Sequence, residues 1–239
     1  MREIIAKLLK KLRRKTSENI LDKLRSKGAK IGKGVILYSP ETIDIDDSRP
    51  YLLSIGEYTK ITKGTIILTH DYSLSVLRRK YGEWIGEGRK TIIGNNCFIG
   101  VNSIILMGSH IGDNVIVGAG SVVHGKFPNN VVIAGNPAKI ICSLDDYYTK
   151  RKIKTKNEAI ECARYFKETY GYNPKPYDMN SFKFLFTPRN KIDVDKYGIV
   201  FECTGDETLE VIKAFYESKP FWKNFDLFLK EAKLLEKEN

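Results

Sequence analysis

The sequence predicts a β-solenoid: a parallel β-helix preceded by a helical cap and followed by a mainly helical region. Three observations carry this. From Ile93 an aliphatic residue returns at every sixth position: Ile93, Ile99, Ile105, Ile111, Val117 and Val123. Glycine follows four of them, at 94, 100, 112 and 118. The fifth place of each hexad is small or β-branched at Cys97, Ser103, Ser109, Val115 and Ser121. A period of six fits neither a helical stripe nor a long alternating strand. It fits a coil with flat faces and sharp corners, in which each aliphatic points inward onto its counterpart one coil away. Three hexads close one triangular turn, and coils stack at the strand spacing of about 4.8 Å.

Residues 1–30 form the N-terminal helical segment. Ile4, Ile5, Leu8, Leu9 and Leu12 share one side of a helix over 2–14. Ser17 is a candidate cap for a second helix, 18–27, ending at Gly28. A solenoid has open ends that need covers, and this segment supplies one. It also holds eleven Lys/Arg against three Asp/Glu. Residues 1–15 are therefore a candidate peripheral membrane contact as well as an end cap with solvated lysines.

Residues 31–145 form the β-helix. IGKGVI begins at Ile31, and IGEYTK, ITKGTI and ILTHDY run from Ile55, with Thr59 and Thr65 at the small position. The step then fails: Ile67 and Ile93 lie 26 residues apart. About twenty extra residues leave the coil directly after Thr69-His70-Asp71, carrying Tyr72, Arg78, Arg79, Tyr81 and Trp84. The hexads stop after Pro137. Residues 146–239 read as mainly helical, with helices at 155–170, 206–218 and 222–236, a breaker at Asn173-Pro174-Lys175-Pro176, and a short strand at 198–202. Their aromatics suit packing more than binding.

The whole chain has 40 Lys/Arg and 29 Asp/Glu, a net charge of +11. The surplus sits mostly at the N-terminus, without the aromatic-interleaved platform of a single-strand binder, so no nucleic-acid partner is expected. Cys97, Cys142, Cys162 and Cys203 form no CxxC pair, which suits reduced thiols and a cytoplasmic protein. No apolar run reaches transmembrane length, and the start lacks a secretory h-region. His70, His110 and His124 are 40 and 14 residues apart. The latter two fall at different places in their hexads, so no shared metal is expected.

The run IGNNCFIGVNSIILMGSHIGDNVIVGAGSVVHGKFPNNVVIAGNPAKII closely resembles the hexapeptide-repeat acyltransferases, in the branch of acetyl-CoA-dependent sugar O-acetyltransferases acting on galactosides, maltose and surface polysaccharide. Thr69-His70 at the interruption, VGAGSVV at 117–123 and AGNPAK at 134–139 carry the resemblance, which spans Ile31 to Ile141. More weakly, the C-terminal region resembles tails of enzymes that acetylate cell-surface polysaccharide. The resemblance implies a left-handed β-helix, a homotrimer, and active sites between neighbouring subunits. Acetyl-CoA would be the co-substrate, with no metal.

His70 matches the family's catalytic histidine. Transfer from a thioester to an alcohol needs a base, and imidazole serves in the neutral range. The excursion would shape the acceptor pocket. Asp71 either orients His70, contacts substrate or is a solvated turn residue. Tyr72 stands where the coil opens. Trp84 either stacks on a sugar ring or anchors the loop. For the donor, Gly100, Gly118 and Ala119 are candidate lining of a shallow groove for the pantetheine arm, with Ala119 matching the family's contacting alanine. Lys126 and Lys139 are candidate phosphate partners. Three departures bear on these assignments: His124-Gly125-Lys126 replaces a tripeptide such as Thr-Lys-Asp, Lys139 replaces a common arginine, and Phe98 replaces a common tryptophan. The expected activity is O-acetylation of a sugar hydroxyl on a polysaccharide or glycan precursor, by direct transfer. Alternatives are N-acetylation of an amino sugar, O-acetylation of an antibiotic and, in another class, a non-catalytic trimeric scaffold.

Overall fold

The computed structural model describes residues 16–199, 201 and 208–235. The amphipathic segment at 2–14, the candidate membrane contact of 1–15, Cys203 and most of the 198–202 strand lie outside these residues. Gly198, Ile199 and Phe201 carry no strand. The chain divides into two compact units between Tyr147 and Tyr148.

The first unit is a coil of three parallel sheets visited in rotation. The first sheet holds β1 (Lys30–Ile31), β4 (Leu53–Ile55), β7 (Thr91–Ile93), β10 (His110–Ile111) and β13 (Lys126–Phe127). The second holds β2 (Ile36–Leu37), β5 (Lys60–Ile61), β8 (Phe98–Ile99), β11 (Ile116–Val117) and β14 (Val131–Gly135). The third holds β3 (Asp44–Ile45), β6 (Ile66–Ile67), β9 (Ile104–Ile105) and β12 (Val122–Val123).

Register stacks like on like. Ile31, Ile55, Ile93, Ile111 and Phe127 form one inward column. Leu37, Ile61, Ile99, Val117 and Ile133 form the second, and Ile45, Ile67, Ile105 and Val123 the third. Ile61, Ile67, Ile99, Ile105 and Ile111 are fully buried, each worth about 1.5–3 kcal/mol of apolar transfer.

The small positions of the hexads, Thr59, Thr65, Cys97, Ser103, Ser109 and Ser121, are buried at the corners. Their hydroxyls cross-link coils: Thr59 Oγ1 donates to the Gly94 carbonyl, and Ser109 Oγ to the Val123 carbonyl. Asn96, Asn102, Asn114 and Asn130 take positive φ at the turns, a conformation asparagine tolerates better than most residues. Asn96 Nδ2 donates to Asn114 Oδ1 and Asn114 Nδ2 to Asn130 Oδ1, forming a ladder along one edge.

At one end lies α1 (16–26), whose Leu21 and Leu24 are buried in the coil's core. Ser17 does not cap this helix. It lies within it, and its hydroxyl accepts from Leu37 N at 3.0 Å, so it fastens the helix to the first coil instead. At the other end β14 turns back into antiparallel β15 (Ala138–Ser143), which ends the parallel stacking.

The excursion contains α2 (Leu74–Tyr81), which the sequence reading treats only as an insert. α3 (Leu144–Tyr170) begins well before 155. Ser143 Oγ accepts from Asp146 N at its start, and the Lys/Arg-rich turns at 150–156 have no apolar stripe to betray a helix. The second unit adds α4 (Lys191–Lys196), α5 (Leu209–Glu217) and α6 (Phe225–Glu231). Its core joins Ala159, Ala163, Met179, Phe186, Trp222, Phe225 and Phe228. Phe186 stacks on Phe228 with ring centroids 5.2 Å apart.

Candidate active site

His70 stands three residues beyond β6, where the chain leaves the third sheet. Thr69 is the last residue held in the coil. It is fully buried, and both its N–H and its hydroxyl donate to Asp46 Oδ2. The excursion is closed at its base by Thr91, whose hydroxyl donates to the Leu68 carbonyl at 2.6 Å. It is braced by Arg49, which donates from Nη1 to the Glu87 carbonyl.

The His70 ring is held by a carboxylate from the coil before it. His70 Nδ1 lies 2.6 Å from Asp46 Oδ2, and Ser48 Oγ is 3.3 Å from the same nitrogen. Asp46 Oδ1 accepts from Ser48 N and Ser48 Oγ at 3.0 and 2.7 Å. The Asp46 side chain is 7% exposed and that of His70 23%. Burial alone would raise the Asp46 carboxyl, but hydrogen bonds from Thr69, Ser48 and His70 outweigh it and hold the group far below the usual carboxylate range. An ionised carboxylate only accepts, so Nδ1 carries the proton and Nε2 keeps its lone pair for an incoming donor. That is the arrangement of a general base with an orienting group.

Sequence reasoning passes over Asp46. It lies in the first coil, where Ile45 and Ile55 are ten residues apart rather than six, so the hexad register is lost there. The structure shows that Ile45 pairs with Ile67, which sets Asp46 beside Leu68 and within reach of Thr69 and His70.

Asp71 turns its carboxylate to Ser73 N at 2.8 Å, and hydrogen bonds from Ser73 hold it below its ordinary value. Tyr72 is 77% exposed, with its ring edge-on to His70 at 5.9 Å. Trp84 is 86% exposed, with the Arg78 guanidinium 5.0 Å over its ring. A cleft beside His70 is lined by Leu68, Asp71, Leu106, Met107 and His124. His124 enters through the third sheet's stacking: it follows Val123 as Leu68 follows Ile67 and Leu106 follows Ile105.

The candidate donor residues lie elsewhere on the protomer. Gly118 and Ala119 sit at the corner between the second and third sheets, one corner away from His70. Lys139 adjoins them, since it pairs with Ala134, whose Cβ would lie 2.8 Å from a Cβ on Gly118. Gly100 is buried, and a Cβ there would fall 2.6 Å from Ala119 N and Val117 O, so close coil stacking requires a glycine. Lys126 is on the first sheet beside His110, past the His124 corner and apart from Lys139. Within one chain, His70 and Ala119 do not share a corner.

The sequence profile described as "Hexapeptide repeat of succinyl-transferase" matches residues 90–124. Protein CapG of Staphylococcus aureus is 42% identical over 183 residues, covering 77% of this chain and 97% of CapG. Galactoside O-acetyltransferase of Escherichia coli K12 is 34% identical over 129 residues, covering 52% of this chain and 62% of that enzyme. This chain thus spans less than two thirds of the galactoside enzyme. A solved maltose O-acetyltransferase from Clostridium difficile 630 is 29% identical with a TM-score of 0.43, over 58% of this chain and 83% of that one. With a near full-length relative at this identity and the six-residue coil observed directly, the chain belongs to the hexapeptide-repeat acyltransferases.

Proposed function

We propose that the protein is an acetyl-CoA-dependent O-acetyltransferase acting on a sugar hydroxyl of a polysaccharide or glycan precursor, as a left-handed β-helical homotrimer with sites between protomers. The observation that carries this is the Asp46–His70 pair at the mouth of the excursion. Nε2 of His70 takes the acceptor hydroxyl's proton as that oxygen attacks. Asp46 keeps the ring in the required tautomer and stabilises the imidazolium that forms. Asp71, Tyr72 and Trp84 form the acceptor side.

Acetyl-CoA supplies the acetyl thioester, and the chain offers a surface that fits its thin arm. Ala119 and Gly120 are exposed, and a Cβ on Gly120 would meet nothing within 4 Å. Gly100 and Gly118 keep the coils behind them close, and exposed Lys139 is placed for a phosphate. Lys126, on another face, would serve the phosphates from a neighbouring protomer. The separation of His70 and Ala119 supports a composite site: one protomer's base meets another's donor groove, as a heterologous ring permits.

Thiol release from acetyl-CoA, screened against sugars, amino sugars, nucleotide sugars and oligosaccharides, tests the proposal. His70→Ala should lower turnover about a hundredfold or more with assembly intact. Unchanged turnover in the variant would remove His70 from the chemistry. Turnover of amino sugars alone would move the activity to nitrogen.

A further inference from the structure

The excursion carries more positive charge than its fold uses. Between His70 and Lys90 stand five Lys/Arg (Arg78, Arg79, Lys80, Arg89 and Lys90) against three Asp/Glu. Several exposed cations elsewhere find carboxylates: Arg25 binds Glu18 and Asp22, Lys27 binds Asp47, and Arg151 binds Glu158. Among the described residues none of the excursion's five does. Among the described residues no ion pair joins them to Asp71, Glu83 or Glu87, and the Asp71 carboxylate instead accepts from Ser73 N.

Arg78 is singular among the five. Its guanidinium lies over the Trp84 ring, and its Nε is buried without a hydrogen-bond partner. A guanidinium stacked on an aromatic face is fixed in plane, and its edge then matches a carboxylate or phosphate through two parallel hydrogen bonds. With Nε buried, the Nη1 and Nη2 edge is the part of the guanidinium left to meet an anion. The same loop presents Trp84 and Tyr72, exposed aromatic surfaces suited to a sugar ring, with Tyr72 against His70.

We propose that the acceptor sugar is anionic, bearing a carboxylate or phosphate, and that Arg78 backed by Trp84 selects it. This rests on the reading of the excursion as the acceptor side. The alternative source of the anion is the donor's own phosphates.

The test uses the full chain and paired probes. Uronic-acid oligosaccharides are compared with their carboxyl-reduced forms, and glycosyl phosphates with the free sugars, by calorimetry or saturation-transfer NMR. The charged member of a pair should bind about tenfold tighter or more. Arg78→Met should bring the two within about threefold of each other, while Arg78→Lys keeps part of the preference. Circular dichroism verifies that each variant is folded.

Equal binding of charged and neutral probes, or binding of neither, overturns the proposal. A KM for acetyl-CoA raised by Arg78→Met, with the probe preference unchanged, assigns the anion to the donor and also overturns it. The thiol-release assay with His70→Ala reports on group transfer separately. No thiol release by the wild-type protein, or release unchanged in His70→Ala, with the charge preference intact would sink the transferase reading and leave the selection by Arg78 standing.

Discussion

Replacing Asp46 with asparagine tests the geometry around His70. The Asp46 carboxylate collects five donors: Thr69 N and Oγ1, Ser48 N and Oγ, and His70 Nδ1. Asparagine keeps one acceptor oxygen and turns an NH2 toward groups that already donate. It can no longer hold the Nδ1–H tautomer of His70. Hydrogen bonds to a charged group are worth about 1.5–3 kcal/mol each, and leaving buried donors without a partner costs a similar amount. Loss of the tautomer and of imidazolium stabilisation, at about 3–4 kcal/mol in the transition state, lowers kcat by about 10²–10³-fold. The KM for acetyl-CoA should not move, because the Asp46 side chain is 7% exposed and is occupied by Thr69, Ser48 and His70 rather than open to the donor. Single-turnover kinetics on the folded variant check this, and a kcat within twofold of wild type would refute the orienting role.

A stability signature accompanies the kinetic one. The native carboxyl holds its proton more weakly than an unfolded aspartate, whose pKa is about 3.9. Its stabilisation is therefore complete above about pH 4 and is lost as the pH falls through the lower native value. The difference in thermal midpoint between wild type and Asp46→Asn should shrink on acidification from about pH 4 toward pH 2.5.

Gly100→Ala should destabilise by about 1–3 kcal/mol in urea unfolding, because its Cβ meets backbone atoms of the next coil at 2.6 Å. Gly86→Ala, with nothing within 4 Å, should stay within about 0.5 kcal/mol. Burial pushes the Cys97 thiol up to about 11, so alkylation at pH 8 should spare it in the native protein and reach it in urea, while exposed Cys162 reacts in both. Rapid native labelling of Cys97 would contradict the closed corner.

The coil was legible because it is repetitive. Six aliphatics at one spacing can stack only if the chain turns through equal faces, and all six are buried. The interruption after His70 was equally visible, since a strict period makes an insertion stand out. What escaped was what depends on neighbouring coils. Asp46 reaches His70 from 24 residues upstream through a register that two small expansions of the first coil conceal. His124 is exposed, and its place in the cleft emerges only from the third sheet's register, which stacks it over Leu106 and Leu68. Ser17 reads as a cap by residue type, whereas its hydroxyl is taken by a strand edge 20 residues on. α2 was hidden because it is only eight residues long and none of them is buried, so the helical spacing of Leu74, Leu77 and Tyr81 is too short a run to stand out.

The composite site is tested most directly by complementation. His70→Ala and Ala119→Trp chains, each inactive alone, are co-expressed with different tags, and hetero-oligomers are purified on both. A site that takes its base from one protomer and its donor groove from the next should recover about a third of wild-type turnover, since in every mixed trimer one directed junction of the three joins an intact His70 to an intact Ala119. Mixed oligomers as inactive as their parents would show that each chain builds its site alone.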